Sequence, residues 1–184
     1  MLSEKENTKI SKFLSLVLRH QPEVISLALD ENGWANVDEL IKKCNTHGHK
    51  IDLAALKHAV ETNNKKRFSF NETFGKIRAS QGHSIEIDLG YTATLPPKTL
   101  YYGTATKNVG GISLTGLEKR SRQHVHLSRD IETATKVGQR HGQVFIFEVD
   151  AGRMHADGFE FFISENGVWL TDNVPVKYLS EHKL

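Results

Sequence analysis

Arg19 and His20 stand side by side at the end of an amphipathic stretch, where a guanidinium and an imidazolium can hold an anion between them. The fork of the arginine binds two oxygens and the ring adds a third hydrogen bond. A plainer reading is also open, because the helix dipole favours cations at a helix C-terminus by about 0.3–1 kcal/mol. On a helical wheel Arg19 lies opposite the apolar face, so packing does not account for it. Lys65, Lys66 and Arg67 are consecutive, and Arg122 lies in the densest polar cluster, which runs from Ser121 to Ser128. Arg19, His20, Arg67 and Arg122 could converge on one phosphate dianion. No pair of carboxylates is placed for general acid–base work. Arginine without acid suits stabilisation of phosphate charge better than proton abstraction.

Other residues are less telling. His124 and His126 share a face if their segment is extended, but no third and fourth ligand arrive with convincing spacing, so no metal is expected. Arg140-His141-Gly142 lies between a helix end and a strand, which suits a loop facing a ligand. Gln81-Gly82-His83-Ser84 is a polar turn whose role is not readable by itself. His47-Gly48-His49 reads as a surface turn. Neither a P-loop nor a Rossmann glycine pattern is present.

The elements that must hold these residues follow from apolar spacing. Ile10, Phe13, Leu14, Val17 and Leu18 mark one helix face, ending near Gln21 because Pro22 follows. Asn36 and Glu39 read as a capping box for a second helix carrying Val37, Leu40, Ile41 and Cys44. Asp52 can cap a third, with Leu53, Leu56 and Val60 inward. Arg67 to Phe70 and Lys76 to Ala79 read as a hairpin across the turn 71–75, with Phe68 and Phe70 packed inward. Helices followed by a hairpin is the order of a winged-helix module. YTATLPPK (91–98) reads as the seam, giving lobes 1–92 and 93–184. Beyond it come short strands at 99–102, 125–127, 144–149, 159–163 and 168–170. One helix interrupts them, capped by Ser128, carrying Ile131, Ala134 and Val137, and ending at Gly138. The class expected is α+β.

Composition bounds the rest. The chain has 184 residues, 24 Lys+Arg against 22 Asp+Glu, one Cys and 38% hydrophobic residues. No apolar run approaches a membrane span, one Cys forms no internal disulfide, and MLSEKENTKI lacks the pattern of a secretory signal. A membrane protein, a disulfide scaffold and a disordered polyelectrolyte are excluded. A soluble, cytoplasmic globular protein is the expectation. A net charge of +2 does not by itself announce a nucleic-acid partner.

In these segments the sequence closely resembles the RNA 2′-phosphotransferase family: SKFLSLVLRHQPE (11–23), GWANVDELI (33–41), KKRFSF (65–70), IRASQGHS (77–84), LYYGTA (100–105), RQHVHLS (122–128), VGQRHG (137–142) and ENGVWLT (165–171). The resemblance implies an N-terminal winged-helix lobe for RNA and phosphate, with Lys65 and Lys66 on RNA. It implies a C-terminal NAD-binding lobe of the ADP-ribosyltransferase type. It also implies a reaction in two steps. An internal RNA 2′-phosphate attacks the ribose C1″ of NAD⁺ and expels nicotinamide. The ribose O2″ then attacks phosphorus, releasing 2′-OH RNA and ADP-ribose 1″,2″-cyclic phosphate. The substrate implied is RNA of the tRNA splice-junction type, with NAD consumed and no obligate protein partner. The family's Arg-His-Arg-Arg tetrad falls on Arg19, His20, Arg67 and Arg122. NAD binding would draw on Tyr102, Gly103, Thr104, His126, Ser128, Arg140 and His141, with Gly103 admitting the dinucleotide closely. The family's usual Y-H-G-T reads Tyr101-Tyr102-Gly103-Thr104 here, with Tyr102 where a His is expected. Two other readings stand beside this one. One is an ADP-ribosyltransferase acting on nucleic-acid ends that stops after the first step. The other is a winged-helix RNA-binding protein without catalysis.

Overall fold

The computed structural model describes residues 3–63 and 65–182. Among these residues it is a mixed α+β protein of six α-helices and small antiparallel sheets, and it divides into two compact units, Met1–Gly90 and Tyr91–Leu184.

In the first unit the order is α1 (Glu4–Arg19), β1 (Ala35–Asn36), α2 (Val37–Thr46), α3 (Leu53–Glu61), β2 (Phe68–Phe70) and β3 (Lys76–Ala79). The sheet order is β1-β3-β2, with Phe68 opposite Ala79 and Ala35 opposite Ile77. Leu14, Val17 and Leu18 of α1 close with Leu40, Leu56, Phe68 and Ile77 into one core. Phe68 is buried and Phe70 packs against the same core, as alternation predicts.

Three local expectations change. Asn36 does cap α2 by accepting from the Glu39 N–H, but the box is half made, because the Glu39 carboxylate turns to Lys43 at 2.6 Å. The complete capping box is at Ser3 and Glu6, ahead of α1. Asp52 caps α3 as expected, yet Leu53 at its first position is exposed, and Ala59 fills the inward place. Arg19 is half-buried rather than outside the packing. Its guanidinium carbon stands 5.8 Å from the Phe68 ring centre.

The second unit contains β4 (Leu100–Ala105), α4 (Val109–Thr115), β5 (Leu117–Glu118), β6 (Val125–Leu127), α5 (Ile131–Gly138), β7 (Val144–Val149), α6 (Ala151–Ala156), β8 (Phe162–Ile163), β9 (Trp169–Thr171), β10 (Asn173–Val174) and β11 (Leu179–Glu181). Its sheets have the orders β11-β7-β4, β6-β9-β8 and β10-β5. Leu100, Leu127, Val149, Met154, Phe161 and Trp169 form its core.

Three helices interrupt these strands instead of the expected one. The extra two, α4 and α6, have seven and six residues. That is too short for an apolar face to repeat. The cap of α5 is Asp130, which accepts from the Thr133 N–H at 2.7 Å, and not Ser128. Ser128 instead exchanges two 2.8 Å backbone hydrogen bonds with Tyr101, tying the end of β6 to β4. The first strand runs on through Gly103 to Ala105, and the fourth is confined to Phe162–Ile163.

Candidate active site

The first unit gathers Arg19, His20 and Arg67 around the end of α1. The last carbonyls of a helix have no partner within it. Here the Arg19 carbonyl accepts from the Ser84 N–H at 2.9 Å, and the His20 Nδ1 lies 2.9 Å from the Ser84 hydroxyl. Arg19 Nη2 donates to the Arg67 carbonyl at 3.3 Å, and the same carbonyl accepts from the Ser80 N–H at 2.8 Å. Arg19, the last residue of α1, and the His20 that caps it are therefore fastened by segments near positions 67 and 84. Lys65 and Lys66 are exposed beside this hairpin, and Lys66 has a positive φ of 42°.

Sequence reasoning left the 81–84 turn unassigned, and the structure makes it the support of the cluster. His83 is 1% exposed, and both ring nitrogens are buried without a hydrogen-bonding partner. Burial, followed by the positive charges of Arg19, His20 and Arg78, pushes its pKa down to about 4. A neutral His83 thus lies beside Arg19, His20 and Arg78. Arg78 was also missed. It stacks over Trp34 at 4.5 Å, on the strand that pairs with Phe68 to Phe70. The available signal was the placement of a Gly-containing polar turn directly after a strand.

The second unit holds the other expected residues, and it does not bring all of them to one place. Arg122 is exposed, and its Nη1 lies 2.6 Å from the Nδ1 of His126 on β6. A guanidinium only donates, so His126 accepts there, and the neutral ring carries its proton on Nε2. His124, two residues before His126, is occupied differently, beside the rings of Tyr91 and Phe162 at 6.4 and 5.7 Å. Burial lowers its pKa, with a further push from Lys119. Among the described residues no group of three His, Cys, Asp or Glu could hold a metal ion. Cys44 is buried on α2, where desolvation pushes its thiol up to about 11.

Two of the residues expected to bind NAD have other duties. A Cβ at Gly103 would stand 1.7 Å from the Ala134 carbonyl oxygen, and one at Gly138 would stand 2.8 Å from the Thr104 oxygen. The two glycines let α5 lie directly on β4, so the close approach at Gly103 is made by a helix. Thr104 is buried, and its hydroxyl accepts from Asn108 Nδ2 at 3.1 Å. Tyr102 is half-buried, opposite Phe147, with its ring against the second core. Arg140 and His141 are exposed on a short turn, Gln139–His141, between α5 and β7, as expected, and Ser128 is half-buried.

The chain matches a profile of the "RNA 2'-phosphotransferase, Tpt1 / KptA family" over residues 5–173. It is 56% identical over 178 residues to a protein of Flavobacterium johnsoniae, covering 97% of this chain and 98% of that one. It is 52% identical over 174 residues to one of Fusobacterium nucleatum, covering 94% and 97%. A protein of Trichormus variabilis is 53% identical over 178 residues, covering 97% and 98%. Each of the three is named a probable RNA 2′-phosphotransferase. With a match that includes Arg19, His20, Arg67 and Arg122 and spans most of both units, the chain belongs to the RNA 2′-phosphotransferase family.

Proposed function

We propose that the chain is an NAD-dependent RNA 2′-phosphotransferase that removes an internal 2′-phosphate from RNA. The observation that carries the reading is that Arg19, His20 and, through its backbone carbonyl, Arg67 meet at the end of α1, in a chain of this family. In this reading the first unit is a winged-helix lobe that binds RNA, supported by its three helices and its hairpin. The second is a lobe of the ADP-ribosyltransferase type. Both substrates are available in the cytoplasm, where the protein would act.

NAD⁺ is a substrate here, supplying an ADP-ribosyl group as its bond to nicotinamide breaks. The fit is partial. Arg140 and His141 are exposed and can meet a pyrophosphate, while Ser128, Tyr102 and the Nε2–H of His126 can serve ribose hydroxyls. The side chain of Thr104 and the α5-facing side of Gly103 are already spent within the fold.

The remaining work falls to this chain's own residues. A 2′-phosphate is already an anion at neutral pH, so it needs orientation rather than deprotonation, and arginine forks supply that. In the second step the ribose O2″ gives up its proton to solvent and bonds to phosphorus, and the bond to the RNA O2′ breaks. Arg19, Arg67 and Arg122 offset the charge on the phosphoryl oxygens, and His20 delivers a proton to the departing O2′. Holding Nδ1 to Ser84 leaves Nε2 as the atom that donates.

A short RNA with one internal 2′-phosphate, incubated with and without NAD⁺ and resolved by mass, tests the proposal. Loss of the phosphate only with NAD⁺, together with ADP-ribose cyclic phosphate, is expected. An RNA that keeps its phosphate and gains ADP-ribose would support the transferase that stops after one step, the reading Tyr102 favours. An unchanged RNA would support a binding protein without catalysis.

A further inference from the structure

The exposed side of α1 carries a second pattern beside its apolar one. Thr8, Ser11, Lys12, Ser15 and Arg19 recur at helical spacing, so they form one polar stripe that ends at the proposed phosphate site. From Thr8 to Arg19 the stripe runs roughly 16 Å, at about 1.5 Å of rise per residue. The first four residues line one wall of a groove of about 450 Å³. Its other wall is Ala59, Thr62, Asn63, Lys65 and Arg67.

Two properties separate this groove from an ordinary solvated helix face. It is concave, whereas a solvated face needs no opposite wall. Among its described lining residues three are cationic and none is acidic, although the whole chain has nearly as many acids as bases. The amide and hydroxyl groups between the cations are already ordered by one another. Asn7 Nδ2 donates to the Thr62 hydroxyl at 2.8 Å, and Asn63 Nδ2 donates to the Ser11 hydroxyl at 3.0 Å. A groove of fixed polar walls with cations along it suits a flexible polyanion, whose phosphates meet lysine and arginine while its sugars meet neutral groups.

We propose that this α1–α3 groove binds the single-stranded RNA backbone flanking the 2′-phosphate on one side, with Lys12 and Lys65 on successive phosphodiesters and Arg67 at the junction with the catalytic cluster. The proposal rests on the RNA reading above and extends it to a subsite outside the Arg-His-Arg-Arg set. The groove carries no base-specific pattern, so it reads length and charge rather than sequence.

The test uses the full chain and Lys12→Glu, a substitution on the exposed face of α1 remote from the apolar core. Three RNAs carry the same internal 2′-phosphate: a minimal one, one extended on the 5′ side and one extended on the 3′ side. In the wild type one extension lowers KM, and Lys12→Glu abolishes that gain by roughly fivefold while kcat and the minimal substrate are unaffected. The log–log salt slope of binding to the extended RNA falls by about 0.7, the contribution of one phosphate contact on a single strand. Equal losses on all three RNAs, or no loss on any, would overturn the proposal. Binding of fluorescently labelled RNA is read in parallel, because it does not require turnover. If wild-type protein binds the extended RNA in a Lys12-dependent way but never releases the phosphate, the catalytic reading fails and the groove stands.

Discussion

The two units hold the arginines proposed to act on phosphate by opposite means. In the first, Arg19 is half-buried, and its side chain donates to a carbonyl 48 positions away in sequence, while its own carbonyl accepts from Ser84. In the second, Arg122 is exposed, and the hydrogen bond that orients it goes to His126, four residues along. One arginine is placed by the fold, and the other by its own loop. The difference teaches where rigidity is bought: the residues at the end of α1, proposed to hold phosphate, share the constraints of a core, and Arg122 can be removed without disturbing one.

The sharpest way to break that contrast is to truncate each arginine. Removing a group that stabilises developing charge costs on the order of 10²–10³ in turnover, so Arg19→Ala and Arg122→Ala are both expected to lose that much RNA dephosphorylation. They should part on other readouts. Arg122→Ala keeps its melting temperature, still releases nicotinamide and accumulates 2′-phospho-ADP-ribosylated RNA. Arg19→Ala loses stability as well, because it removes a contact to Phe68 and a bond to Arg67. If Arg122→Ala is fully active with no trapped intermediate, its assignment fails.

Gly103→Ala probes the second unit where it is most tightly built. The added Cβ would collide with the Ala134 backbone, which cannot move aside as a flexible side chain would. A loss of about 3 kcal/mol is expected from denaturant titration. A smaller loss would mean that α5 is free to lift from β4.

His83 gives an effect of similar size that depends on pH. The folded chain keeps His83 neutral down to about 4, while the unfolded chain takes up a proton near 6.5. Between those values the unfolded state binds more protons, so stability falls as the pH is lowered through this window and is fully present above it. The contribution is about 3 kcal/mol at most. Comparing the wild type with His83→Asn by urea unfolding from pH 7 to pH 4.5 isolates it, with the variant showing the flatter slope. Identical slopes would sink the assignment.

These differences also explain what could be read from the residues alone. The α1 face, the caps at Asn36 and Asp52, and the alternation of Phe68 with Phe70 are set by neighbours within a few positions, and each agrees with the structure. The role of the 81–84 turn was hidden, because its partners are 64 residues back in the chain. Gly103 is ambiguous for a related reason. A glycine in a strand signals that something comes close, and sequence does not say whether that is a ligand or a helix. Helices of six and seven residues carry too few apolar positions to declare a period.

Ser84→Ala is the smallest effect expected, and it tests the contrast most directly. The substitution keeps the backbone N–H that caps Arg19 and removes only the hydroxyl beside His20 Nδ1. Ser84 is exposed, so unfolding free energy should hardly change. One hydrogen bond is worth about 0.5–1.5 kcal/mol, which corresponds to roughly a two- to thirteenfold loss in the second step. That loss should fall on kcat rather than KM and be accompanied by a displaced alkaline limb of the pH–rate profile, because the bond holds the ring that delivers the proton and must stay protonated to do so. Ser84→Thr, which retains the hydroxyl, should recover most of the rate. A Ser84→Ala enzyme with wild-type kcat and pH profile would mean that helix geometry alone orients His20, and the end of α1 would then depend on local structure as much as the Arg122 loop does.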